Sequence, residues 1–104
     1  MTAEAAQHAA EMPRDQVERV LRKAKIEGTG WDVEGALRFG DYAALTLARN
    51  DELHGVPVRN RRAVTVHLET GEANEEGRAI DVLGRNREEA RAGRARLRAN
   101  GVPV

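Results

Sequence analysis

The sequence contains no cysteine and no serine. Without cysteine the chain can form neither disulfides nor thiolate centres, and this composition fits a reducing cytosol. Because these two common catalytic nucleophiles are both absent, we expect a protein that is not an enzyme. The sequence has no metal cluster and no phosphate-binding loop, so we also expect no cofactor. Aromatic side chains are scarce as well, at 3% of the chain. The core must therefore be built from aliphatic side chains.

Long apolar runs and metal-ligand spacings are missing too. No apolar run approaches the roughly 18 residues that a membrane-spanning helix needs. The first residues have neither the basic opening nor the apolar stretch of a secretory signal. The three histidines are scattered without metal-ligand spacing. We therefore expect a cytoplasmic protein with no membrane partner and no metal site.

A chain of 104 residues is sufficient for one domain, which buries only about two thirds of its unfolded surface. The small core is compatible with a homo-oligomer. We divide the chain into a flexible, alanine-rich arm at residues 1–12 and a single domain at residues 13–104.

An amphipathic helix is predicted after Pro13, which suits the first turn of a helix. Four apolar residues then recur at positions i, i+3, i+4 and i+7. They are Val17, Val20, Leu21 and Ala24. Gly28 and Gly30 supply the predicted stop.

Residues 31–49 allow two interpretations. Asp32 could cap a second helix, or residues 36–39 and 42–47 could be two strands joined by Gly40 and Asp41. We favour the hairpin, because Gly-Asp between two apolar runs is typical of a two-residue turn. Phe39 and Tyr42 would then face each other across the hairpin.

Strands are also predicted further along the chain. Residues 56–58 are expected to form a short edge strand, because Pro57 cannot donate to a central ladder. The firmest strands are residues 63–69, where apolar and polar side chains alternate, and residues 78–83. Residues 70–77 between them are an acidic turn, long enough to be mobile. Gly84 precedes the last helix, and Asn100 with Gly101 ends it. The fold class is α+β: a small single domain whose antiparallel sheet is flanked by an N-terminal amphipathic helix and an Arg-rich C-terminal helix.

The charge of the chain is unevenly distributed. The net charge is zero, yet 15 of the 17 basic residues are arginine, and six of them lie between Arg85 and Arg98 with only two glutamates. A local basic surface predicts anionic partners even when the whole chain is neutral. Helical spacing places four of these arginines in one stripe, and guanidinium groups bind phosphate oxygens bidentately. The stripe consists of Arg87, Arg91, Arg94 and Arg98. A second cluster, Arg59, Arg61 and Arg62, is predicted in the turn before the strand at residues 63–69.

Part of the N-terminal helix resembles a known family. Residues 9–30 are similar to the helix signature of YebC-type regulators, which reads approximately Met-Pro-Lys-Asp-x-Ile-Glu-Arg-Ala-Ile-Lys-Lys before a glycine-rich loop. The matching or similar positions are Met12, Pro13, Arg14, Asp15, Val17, Glu18, Arg19, Leu21, Arg22 and Lys23. That family acts in transcription control and in translation on the ribosome, so the resemblance implies a nucleic-acid partner. No functional residue is carried over from it.

These observations predict a small, non-enzymatic nucleic-acid-binding or regulatory protein that uses an Arg-rich helix on phosphates. The alternative is a protein-interaction module, such as an inhibitor, an accessory subunit or a phage-like structural component, whose basic helix docks on an acidic protein surface. A third interpretation is a merely solvated helix, in which Glu88 and Glu89 pair with nearby arginines. The candidate binding residues are Arg59, Arg61, Arg62, Arg87, Arg91, Arg94 and Arg98.

Overall fold

The computed structural model describes residues 10–26 and 30–104. Residues 1–9 of the predicted arm lie outside the described residues, and so does the predicted stop at Gly28. The elements, in chain order, are β1 (Ala10–Glu11), α1 (Arg14–Lys23), β2 (Asp32–Phe39), β3 (Tyr42–Leu53), β4 (Val56–His67), β5 (Ala73–Val82) and α2 (Arg87–Ala99).

The five strands form one sheet in the order β1-β2-β3-β4-β5, and every neighbouring pair is antiparallel. The domain is therefore a small α+β fold with an antiparallel sheet, as predicted. The short strand β1 pairs with only two residues of β2, Arg38 and Leu37. Strands β2 to β5 are a meander, because each is joined to the next by a short turn.

The hairpin between β2 and β3 confirms the favoured interpretation of residues 31–49, and the alternative of a second helix there is wrong. Phe39 and Tyr42 are directly paired. Gly40 adopts a φ of 60° in the turn, a conformation that glycine reaches at little cost. Both strands are longer than predicted, since β2 begins at Asp32 and β3 continues to Leu53.

Strand β4 corrects two predictions. The separate edge strand at residues 56–58 is wrong, because those residues begin a 12-residue strand that lies between β3 and β5. The turn predicted to carry Arg59, Arg61 and Arg62 is wrong for the same reason. Pro57 is tolerated because β5 extends only as far as the partner of Val58. The carbonyl of Pro57 still accepts a hydrogen bond from Leu83 N, at 2.9 Å.

The connection between β4 and β5 is shorter than the predicted acidic turn at residues 70–77. Residues 73–77 already belong to β5, so the prediction of a long mobile turn is wrong. The pairing shifts by one residue opposite Ala63 and Val64, which accommodates Glu76 as an extra residue in β5. Such a bulge adds twist to the edge of a sheet.

Two apolar clusters pack against the same face of the sheet. Val17 and Val20 of α1 are buried with Leu45, Val64 and other side chains of β3 and β4. Near the other end of β4, the α2 residue Leu97 is buried with Val56 and Val58. Residues 56, 58, 64 and 66 share one face because alternate residues of a strand point the same way and the β3–β4 register is unbroken. The opposite face of the sheet is called the open face below.

Helix α1 ends at Lys23, before the glycines that were predicted to stop it. Lys25 takes a left-handed φ of 52°. Its N–H donates to the carbonyl of Arg22, and Ile26 N donates to the carbonyl of Leu21. This pattern is a Schellman cap, with lysine in the position that glycine usually holds. Ile26 then packs against the α1 cluster.

Helix α2 begins and ends close to the predicted positions. Asn86 caps it, since the side-chain oxygen accepts a hydrogen bond from Glu89 N at 2.9 Å. Gly101 ends it with a φ of 80°. Gly93 lets the helix approach the sheet closely. A Cβ at that position would lie 2.7 Å from Val82 Cγ1 and 3.0 Å from Val56 Cγ1.

Candidate nucleic-acid interface

The arginine stripe lies on α2, where helical spacing places its four members along one side. Arg87, Arg91 and Arg98 are exposed and Arg94 is half-buried. Within the described residues, none of the four forms an ion pair with an Asp or Glu side chain. In that part of the chain, the one hydrogen bond from a stripe side chain joins Arg98 Nε to the backbone oxygen of Val104, at 2.7 Å. These guanidinium groups therefore retain most of their donors for a ligand.

The anchoring of α2 depends mainly on one residue. Leu97 is completely buried, and Ala90 is half-buried. Leu83 precedes the helix and is 39% exposed. The glutamate at position 89 pairs with Arg85, with 3.2 Å between Nε and Oε2. Arg85 lies outside the stripe, so this pair leaves the stripe unchanged.

The predicted cluster in β4 is divided between the two faces of the sheet. Arg59 and Arg61 point to the open face, where three carboxylates surround them. Arg59 Nη2 lies 3.3 Å from Asp32 and 3.7 Å from Glu34. Arg61 Nε lies 2.9 Å from Glu34, and its Nη1 is paired with Asp81. The positive charges of both arginines are therefore compensated within the chain.

The guanidinium groups of β4 pass over β3 to reach β2. Ala48 of β3 lies between Asp32 on one side and Arg61 on the other. Although it belongs to the open face, Ala48 is completely buried. A small residue at this position leaves room for Arg61 to extend over it.

Arg62 lies on the helix-bearing face, and its side chain is only 14% exposed. Its Nε donates to Glu75. Arg78 shares that carboxylate, with 2.6 Å between Nε and Oε2. The hydrogen bond from Arg78, and to a lesser extent that from Arg62, holds the pKa of Glu75 below its ordinary value. Arg62 also lies over the ring of Trp31, 5.0 Å from its centroid.

Arg62 is part of a polar section between the two apolar clusters, which sequence reasoning missed. Arg49 lies 4.3 Å from the Trp31 ring centroid, and its Nε is 3.1 Å from Asp51 Oδ2. Asn60 Nδ2 donates to the same oxygen at 2.6 Å. The hydrogen bonds from Asn60 and Arg49 lower the pKa of Asp51. We call this section, with Trp31, Arg49, Asp51, Asn60, Arg62, Glu75 and Arg78, the polar groove.

Neither helix covers the open face. One half carries the compensated charges around Arg61. The other half carries Tyr42, whose ring meets His67 edge-on with centroids 5.0 Å apart. Leu37 and Tyr42 are 38% and 43% exposed. This half of the face is apolar and accessible.

The described residues contain no group of three or more His, Cys, Asp or Glu side chains that could hold a metal ion. In residues 10–26 and 30–104, no helix is both long and apolar enough to cross a membrane. We found no significant match to the chain among protein-family models, curated proteins or solved structures.

Proposed function

We propose that the protein is a small, non-enzymatic nucleic-acid-binding protein that acts in the cytoplasm and binds phosphates with α2. The stripe Arg87, Arg91, Arg94 and Arg98 forms the contact. In this proposal the sheet is a scaffold, flanked by the N-terminal amphipathic helix α1 and the Arg-rich helix α2. A regulatory role is part of the proposal and agrees with the resemblance of residues 9–30 to YebC-type regulators.

One contrast between the two predicted clusters carries the proposal. Arg59, Arg61 and Arg62 each contact a carboxylate of the chain. Within the described residues, the stripe arginines contact no Asp or Glu side chain, and Arg98 alone has a side-chain hydrogen bond, to the backbone oxygen of Val104. A guanidinium that is paired with a carboxylate offers fewer free donors and less uncompensated charge to a nucleic-acid backbone than an unpaired guanidinium does. We therefore assign binding of the nucleic-acid backbone to α2 rather than to the arginines of β4.

The stripe is suited to the nucleic-acid backbone rather than to base edges. Arginine forms bidentate hydrogen bonds with phosphate oxygens, and a rigid helix fixes the spacing of these groups. Four phosphate contacts release about four condensed counterions. We therefore expect affinity for random-sequence duplexes to fall about a hundredfold when salt rises fourfold.

Fluorescence anisotropy with labelled random-sequence DNA and RNA duplexes, at about 50 and 200 mM salt, tests the proposal. The wild-type protein should bind with the steep salt dependence described above. A variant with all four stripe arginines changed to glutamine should lose most of the binding. The matched control changes Arg14, Arg19, Arg22 and Arg38 to glutamine, which removes the same charge elsewhere and should bind more strongly than the stripe variant. Equal binding by the two variants would contradict the proposed role of the stripe.

A second function, a protein-interaction module, is favoured by the accessible apolar half of the open face. Leu37 and Tyr42 lie there together with half-buried Phe39. An inhibitor, an accessory subunit, a phage-like structural component or a homo-oligomer would use such a surface. Sedimentation of the purified protein without nucleic acid, compared with that of a Leu37→Asp, Tyr42→Asp variant, separates this function from the first. Self-assembly that the variant abolishes supports it.

A further inference from the structure

Among the described residues, the polar groove has more positive than negative charge. Three arginines, Arg49, Arg62 and Arg78, face two carboxylates, Asp51 and Glu75. Polar side chains on the covered face of a small sheet reduce the apolar area available to the core, so their presence in the middle of that face calls for a reason. The excess of positive charge points to an anionic ligand.

The guanidinium groups of Arg49 and Arg62 are held by one nitrogen and leave the others available. Arg49 Nε donates to Asp51, and Arg62 Nε donates to Glu75. Within the described residues, no hydrogen bond involves the Nη atoms of either side chain. Each guanidinium therefore keeps the pair of terminal nitrogens that suits an oxyanion.

Both guanidinium groups contact the ring of Trp31. Their central carbons lie 4.3 Å and 5.0 Å from the same ring centroid. Arg49 is paired with Asn60, two residues before Arg62, so the two arginines are diagonal neighbours on this face of the sheet. Two such long side chains can reach a single phosphate. Two like charges on neighbouring positions of adjacent strands repel each other, and a bound anion would relieve that repulsion.

The supporting contacts fix the arginines before any ligand arrives. Asp51 accepts hydrogen bonds from both Asn60 and Arg49. Asn60 therefore holds the carboxylate that in turn holds the Arg49 side chain. Glu75 is shared in the same way by Arg62 and Arg78. Side chains oriented in advance lose less conformational entropy when they bind. The groove has a volume of about 780 Å³, within the range of small-molecule sites.

We propose that the polar groove binds the phosphate group of a small phosphate compound, held between Arg49 and Arg62. This site is separate from the α2 stripe. It requires only a phosphoryl oxyanion, which either inorganic phosphate or a phosphate ester can supply. The carboxylates Asp51 and Glu75 orient the two arginines and do not contact the ligand.

Trp31 is the only tryptophan of the chain, so its fluorescence reports on this groove directly. The protein is titrated with inorganic phosphate, with adenosine 5′-monophosphate and with adenosine. Saturable changes with either phosphate compound, and none with adenosine, support the proposal. Saturation by inorganic phosphate identifies the oxyanion alone as sufficient, whereas saturation by the nucleotide alone identifies an ester. An equal response to adenosine would overturn the assignment to phosphate.

Arg49→Lys tests the geometry because it keeps the charge and removes the planar fork. We expect at least a tenfold loss of affinity in this variant. Arg22→Gln, an exposed arginine of α1, is the matched control and should leave the affinity unchanged. Circular dichroism verifies that each variant is folded. Calorimetric titration of the wild type gives an independent measurement. No saturable signal by either method up to about 10 mM ligand would overturn the proposal.

The stripe variant described above keeps the two proposals distinguishable. It should bind the nucleotide as the wild type does, while Arg49→Lys should retain the affinity of the wild type for duplexes. Loss of nucleotide binding in the stripe variant would place the phosphate site on α2 and overturn the assignment to the groove.

Discussion

Arg61 of β4 reaches across β3 to Glu34 of β2, with 2.9 Å between Nε and Oε1. The two residues lie on strands that are not neighbours in the sheet, so their contact adds a side-chain connection to the backbone ladders. The hydrogen bond and charge of Arg61 lower the pKa of Glu34 from its ordinary 4.5, and Arg59 contributes to the same shift. A lowered pKa means that the folded state favours the ionised carboxylate.

The downward direction of this pKa shift determines how stability depends on pH. A carboxyl group with a lowered folded-state pKa contributes stability above its unfolded-state pKa, and the contribution is lost as pH falls through the folded-state value. Glu34, Asp51 and Glu75 are all shifted downward. The urea midpoint of the wild type should therefore be highest above about pH 5 and should decline progressively below about pH 4.5.

Glu34→Gln isolates one part of this effect. The variant should have a lower urea midpoint than the wild type at pH 7 and should lose less of it between pH 5 and pH 3, because one ionisable carboxyl is gone. Glu69→Gln, which changes an exposed turn residue, is the control and should follow the wild-type profile. Parallel profiles for the wild type and Glu34→Gln would contradict the role assigned to the Arg61 pair.

Leu97 is expected to dominate the attachment of α2. It is completely buried between the helix and strand β4. Leu97→Ala removes that apolar contact and leaves a cavity, so the free energy of unfolding should fall by about 3 kcal/mol. Leu83→Ala truncates the same side chain at an exposed position and should change it by about 0.5 kcal/mol or less. Urea denaturation followed by circular dichroism compares the two, and equal losses would argue against Leu97 as the anchor.

Sequence reasoning succeeded where the signal is local. Gly40 and Asp41 identify the first hairpin because a two-residue turn needs only its own residues and the apolar runs beside it. The end of α2 at Asn100 and Gly101 was predicted for a similar reason, since the cap forms within a few residues. The stripe on α2 follows directly from helical periodicity.

Predictions failed where the partners of a residue lie far along the chain. Arg59, Arg61 and Arg62 resemble a polar turn in sequence, but their carboxylates come from other strands, including Glu34. Four consecutive polar residues, from Arg59 to Arg62, can continue a strand when each face supplies partners for them. The polar groove could not be predicted for the same reason. Trp31 and Arg49 are distant from Arg62 in sequence and come near it only in the folded sheet.

Asn86 should contribute measurably to α2, because its side chain satisfies the backbone N–H of Glu89. Asn86→Ala leaves that donor without a side-chain partner and should lower the free energy of unfolding by about 1 kcal/mol. Asn74→Ala, an exposed change in β5, serves as the control and should cost about 0.5 kcal/mol or less. Chemical denaturation measures both, and an unchanged Asn86→Ala variant would show that the cap is dispensable.

Gly71 joins the β4–β5 turn to the end of α1. It has a φ of 77°, and its N–H donates to the carbonyl of His67 at 2.8 Å. A Cβ at this position would lie 2.6 Å from the backbone oxygen of Lys23. Gly71→Ala places a residue with a Cβ in the left-handed region and brings that Cβ against the backbone of α1. The free energy of unfolding should therefore fall by about 2 kcal/mol or more.

Gly77→Ala provides the comparison for this prediction. Gly77 lies in β5, does not have a positive φ, and a Cβ there would have nothing within 4 Å. Alanine restricts the unfolded chain more than glycine does, so this variant should be neutral or slightly more stable than the wild type. Opposite effects of the same chemical change would attribute the loss at position 71 to the turn and to its contact with α1. A stable Gly71→Ala protein would mean that the end of α1 can move away from the turn at little cost.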